Sequence, residues 1–111
     1  MIYEEREVVA RITTLNLRDL RAWVRAGLVA PQRGEQGPVF DDEDIARLWL
    51  ICDLRKDMAI EPDAVEVILS LVDQVNGLRR DLALLTAAVA DQPKETRQSV
   101  AAAFAARRHE G

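Results

Sequence analysis

The side chains able to do covalent chemistry in this chain are few and scattered. There is one histidine, His109, and one cysteine, Cys52. A Cys–His nucleophilic pair would require the end of the chain to fold back on the segment around Cys52. The plainer expectation is a buried structural cysteine and a solvated histidine. Carboxylates are abundant, but none lies beside a pocket signal. There is no glycine-rich phosphate loop and no ligand spacing suited to zinc. No catalytic residue, no metal ligand and no cofactor is therefore expected, and the chain reads as a binding protein, not an enzyme.

Non-covalent chemistry is better represented. Arg18, Arg21 and Arg25 stand at i, i+3 and i+7, opposite Leu17, Leu20 and Val24. In a helix-turn-helix such a row supplies base and phosphate contacts; on an ordinary helix it is a solvated face. Asp41, Asp42, Glu43 and Asp44 form four consecutive acids where a helix should begin, and Asp53 and Asp57 lie further along it. Acids at a helix N-terminus stabilise it by ~0.3–1 kcal/mol each. Capping uses one or two of them, and the surplus suits an electrostatic contact with a basic partner. The net charge of −4 weighs against a dedicated nucleic-acid binder, which gains affinity by neutralising phosphates. Trp23 and Trp49 are both expected in the core; either one, if exposed, becomes an interface anchor.

The elements that must position these residues are mostly helical. Val8, Val9 and Ile12 predict a helix over 5–13. Thr13–Asn16 interrupts it, and Asn16 with Asp19 reads as the cap of a second helix. Gly27 ends that helix and Pro31 follows, which completes a helix-turn-helix. The turn-rich segment 32–38, flanked by Leu28-Val29 and Val39-Phe40, suits a small hairpin wing. Asp41 should cap a third helix, with Phe40 and Ile45 stapled across the cap. From Ile45 to Leu54 that helix is apolar on most sides and is expected at the centre of the core.

Pro62 marks the first turn of a fourth helix. Ile68, Leu71, Val75, Leu78, Leu82, Leu85 and Val89 follow at alternating three- and four-residue steps, an a/d seam of about three heptads. Val65, Leu69 and Val72 form a second stripe suited to docking on the first three helices. The small N-terminal domain leaves the longer stripe uncovered, so a homodimer is expected; the alternative is a monomer whose helix breaks at Asn76-Gly77 and folds back. Pro93 ends the element, and 94–108 is Ala-rich and weakly helical, suited to a frayed tail. The expected organisation is thus 1–60, a winged helix-turn-helix domain; 61–92, a docking and dimerisation helix; and 93–111, a tail. A composition of 49% hydrophobic and 31% charged residues is that of a globular chain. The charged N-terminus lacks the apolar stretch of a signal peptide, and no run is long enough to span a membrane, so the expected compartment is the cytoplasm.

This order of elements resembles a MerR-type winged helix. Leu20-Arg-Ala-Trp-Val-Arg-Ala-Gly-Leu-Val29 followed by Pro31, Phe40-Asp-Asp-Glu-Asp-Ile-Ala-Arg-Leu48 and Ile51-Cys-Asp-Leu-Arg-Lys-Asp57 are similar to that superfamily's signature segments. The run Ile68-Leu-Ser-Leu-Val-Asp-Gln-Val-Asn-Gly-Leu-Arg-Arg-Asp-Leu82 resembles the CbpM family of chaperone modulators, and the resemblance covers about residues 6 to 92. Thr14 departs from it by standing where the turn usually has glycine, and residues 93–111 lie beyond it. The resemblance implies a mainly α fold, binding to the J domain of a CbpA/DnaJ-like co-chaperone, and inhibition of that co-chaperone. A J domain presents a basic helix, which would meet the acids at Asp41–Asp44, Asp53 and Asp57. The MerR-like plan alone implies the other reading, a DNA-binding regulator using Arg18, Arg21 and Arg25. It also implies antiparallel pairing of the long helices.

Overall fold

A computed structural model describes residues 1–111, which form two units, Met1–Ser70 and Leu71–Gly111. The first begins with a short strand, β1 (Ile2–Glu4), and runs directly into α1 (Glu5–Arg11). Glu7 accepts a hydrogen bond from the Glu4 amide at 3.1 Å, satisfying one of the donors a helix start leaves open. Residues 12–16 turn the chain into α2 (Leu17–Arg25), with the Leu15 amide donating to the Ile12 carbonyl at 3.0 Å. Asn16 is the N-cap: its side chain accepts from the Asp19 amide at 2.8 Å.

Gly27 closes α2. Its φ of +78° lies in the left-handed region. The Leu28 amide reaches the Trp23 carbonyl at 3.0 Å and the Gly27 amide reaches Val24 at 3.1 Å. This is the Schellman pattern, which satisfies carbonyls that the helix end would leave bare. Gly27→Ala is expected to lower stability by about 1 kcal/mol, because a Cβ disfavours that backbone region and no neighbour compensates. Ala59 shows the converse: at φ +53° it carries a Cβ where glycine fits better. Urea melts should therefore move the two substitutions apart, with Ala59→Gly showing no such loss.

The wing consists of β2 (Gln32–Gly34) and β3 (Gly37–Asp41), joined by a two-residue turn. The hairpin is narrower than its apolar flanks predict: Leu28-Val29 stays outside the strand, and Val29 packs into the core instead. β3 also pairs with β1, placing Tyr3 opposite Phe40, so the sheet is antiparallel in the order β1-β3-β2. Next comes α3 (Asp42–Cys52), extended by a π-helical turn, Asp53–Asp57. Leu20, Trp23, Phe40, Leu48, Ile51, Val65 and Leu69 meet in one core with Val8 and Ile12. Ile45 packs against this core, as the staple requires. Val65 and Leu69, in the first turns of α4 (Pro62–Ala90), are buried in this core, while Val72, the third residue of the expected docking stripe, is not part of it.

In the second unit α4 continues without a break through Asn76-Gly77 to Ala90. The segment after Pro93 is not frayed: it forms α5 (Lys94–Glu110), with no residue buried. Its sequence contains a run of alanines, the strongest helix former, and no packed face.

Candidate functional site

The four acids at the start of α3 have separate tasks. Asp41 accepts from the Asp44 amide at 2.8 Å, and Asp44 accepts from the Asp41 amide at 3.0 Å. This reciprocal capping box consumes two of them. Asp42 accepts from the Tyr3 hydroxyl at 2.9 Å and lies 3.3 Å from the Met1 amine. Only Glu43 is left without a local role. Burial pushes the Asp44 carboxyl up in pKa. The Tyr3 hydroxyl, aided by the Met1 amine, holds Asp42 down.

The same bond raises the Tyr3 phenol above its ordinary value, because ionisation would set an anion beside the Asp42 carboxylate. Tyr3 is the one tyrosine of the chain, so absorbance near 295 nm follows it alone. Asp42→Asn should move that titration to lower pH; an unmoved curve would show that the pair is not formed in solution. The sign for Asp42 is the usual one for a depressed carboxylate. Its contribution to stability is present above the unfolded-state pKa and is lost as pH falls through the lower folded value.

The arginine row of α2 is divided. Arg21 is clamped by Glu5 of α1 through two hydrogen bonds, at 3.1 and 3.3 Å, and its pKa is raised further by that bond. Arg18 and Arg25 are exposed. Beside Arg21, a cleft of about 720 Å³ lies between α1, the start of α2 and the wing, lined by Glu4, Glu5, Glu35, Val9, Leu17 and Pro38. Arg6 is also part of this lining, 3.8 Å from Glu4.

Lys56 fastens the helix-turn-helix from behind. Its ammonium donates to the Thr14 carbonyl and pairs with Asp19 at 2.9 Å. The turn accommodates threonine because Thr14 does not take a positive φ, the conformation that would call for glycine. Cys52 is buried, and burial pushes its thiol up, the opposite of an activated nucleophile. His109 is exposed in the last turn of α5. No group of three or more His, Cys, Asp or Glu is placed to hold a metal, and no helix is long and apolar enough to cross a membrane.

One tryptophan departs from expectation. Trp23 is buried, at 9% exposure, but Trp49 is 43% exposed. The core side of α3 is filled by Leu48, Ile51 and Cys52, which leaves position 49 outside. Along α4, Leu71, Val75, Leu78, Leu82 and Leu85 are exposed, while Ile68 and Val89 are half-buried and Ile68 packs on the core.

Two helices across a tight turn, a three-stranded wing and a long following helix define a winged helix-turn-helix binding domain. Residues 7–71 match the family described as MerR HTH family regulatory protein. That is more than half of the chain, which belongs to this family. No curated protein and no solved structure matches it.

Proposed function

We propose that this chain is a protein-binding modulator that engages the J domain of a CbpA/DnaJ-like co-chaperone and inhibits it. One observation carries the reading: the central arginine of the helix-turn-helix row, Arg21, is held by Glu5. Non-specific affinity for DNA comes from neutralising successive phosphates. Here the middle cation is neutralised from within the fold, and the adjoining cleft sets three glutamates against two arginines in its lining. Glu43, Asp53 and Asp57, exposed on α3 and the turn that follows, suit a basic protein surface instead. The likeness of residues 68–82 to the chaperone modulators points the same way, and the exposed stripe on α4 suits a homodimer.

Titration with the purified J domain of a CbpA-type co-chaperone, beside a gel shift on random duplex at low salt, tests this. Saturable J-domain binding with no shifted duplex is the expected pair of results. Micromolar duplex binding that collapses with salt, without J-domain binding, would instead favour a DNA-binding regulator. The exposure of Arg18 and Arg25 and membership of the MerR family keep that second reading in view.

A further inference from the structure

The outward face of α3 has an unusual composition. Asp42, Ala46, Trp49 and Asp53 follow one another at four-, three- and four-residue steps and so share one side of the helix. The π-helical turn carries the row on to Asp57 and Met58. All six are exposed. A large indole thus stands in the open, beside the flat methyl of an alanine and within a frame of carboxylates.

The cations of this segment are all committed elsewhere. Arg47 donates to the Leu28 carbonyl. Arg55 donates to the Ile60 carbonyl at 2.8 Å. Lys56 is held by Thr14 and Asp19. Nothing of this kind engages Glu43, Asp53 or Asp57. Asp42 is paired with the Met1 amine, so the unneutralised charge around the ring is that of Glu43, Asp53 and Asp57.

We propose that this face docks a cationic helix of a partner protein, with Trp49 as the anchor. The ring offers its face to a Lys or Arg head group and its body to the aliphatic stems of such residues. Glu43, Asp53 and Asp57 pair with cations on either side and steer the encounter. Phosphate-bearing partners are repelled by the same carboxylates, so the occupant is protein and not nucleic acid. The proposal rests on the modulator reading only for the partner's identity. It places the contact on α3, away from the cleft beside α2.

The test uses the full chain and two probes: the J domain of a CbpA-type co-chaperone and a synthetic amphipathic Lys/Arg helix. Both are expected to shield tryptophan from acrylamide quenching. Trp49→Ala and, independently, Asp53→Lys should each weaken binding about tenfold or more, with thermal melts unchanged. A J domain that binds wild type and both variants equally overturns the docking face and leaves the modulator reading standing. A cationic peptide that binds at Trp49 while the J domain does not bind upholds the face and removes the co-chaperone. Failure of both probes, or shielding of Trp49 by duplex DNA, overturns the proposed face.

Discussion

Phe40→Ala is expected to lower the stability of the first unit by about 3–5 kcal/mol, the range for removing a fully buried aromatic ring. Such a loss takes up a large share of the ~5–15 kcal/mol that holds a typical domain together. Phe40 is completely buried and stands where three parts of the fold meet. It is the β3 residue opposite Tyr3 of β1, it immediately precedes the Asp41 cap of α3, and it lies in the same core as Leu20 and Leu48. A void there cannot close by a shift of one helix, because the sheet register and the capping box both fix the backbone around it. Urea denaturation followed by tryptophan fluorescence should show the midpoint falling sharply with the slope retained. A loss below about 1.5 kcal/mol would mean that the site collapses around the void, and that the sheet is less rigidly joined to the helices than its pairing implies.

The sequence made the helices legible because each carries its own signals: Asn16 and Asp19 at one start, Asp41 and Asp44 at another, Gly27 at an end, Pro62 at a first turn. Strand β1 was not legible, since three residues cannot display an alternating period, and its partner β3 lies more than thirty residues away. The exposure of Trp49 is hidden in the sequence for a related reason. Apolar residues crowd all sides of α3, so periodicity alone does not say which side meets the core; that is decided by α1, α2 and the first turns of α4. The tail's Ala-rich, weakly helical composition points to helix, but not to the full extent of α5 over Lys94–Glu110, because no buried face marks its length. Among the candidate site residues, the acidic run was visible as a cluster but not as a set of separate tasks. The Tyr3–Asp42 bond depends on the unforeseen strand, and the Arg21–Glu5 clamp depends on how α1 and α2 cross.

Leu78→Asp is expected to convert the protein from dimer to monomer at tens of micromolar. Five exposed Leu and Val side chains recur along α4 at heptad spacing, and Leu78, at 68% exposure, lies at the middle of the row. A continuous apolar stripe of this length is unusual on a lone soluble chain. Burying each such side chain is worth roughly 1.5–3 kcal/mol, against an association cost of about 4–15 kcal/mol in all. Two copies of the stripe exceed that cost; one stripe interrupted at its centre does not. In an antiparallel pair with its axis between Asn76 and Gly77, Leu78 of each chain would face Val75 of the other. The substitution then puts two carboxylates into the two central layers, where they are desolvated and near each other. Parallel pairing would place them in one layer, with the same outcome. Sedimentation equilibrium should give twice 12.4 kDa for wild type and 12.4 kDa for the variant. Because position 78 lies outside the buried core of the first unit, the melting of that unit should change little beyond what dimer loss removes. A wild-type chain that sediments as a monomer at that concentration, with Leu78→Asp making no difference, would show that the α4 stripe does not join two copies.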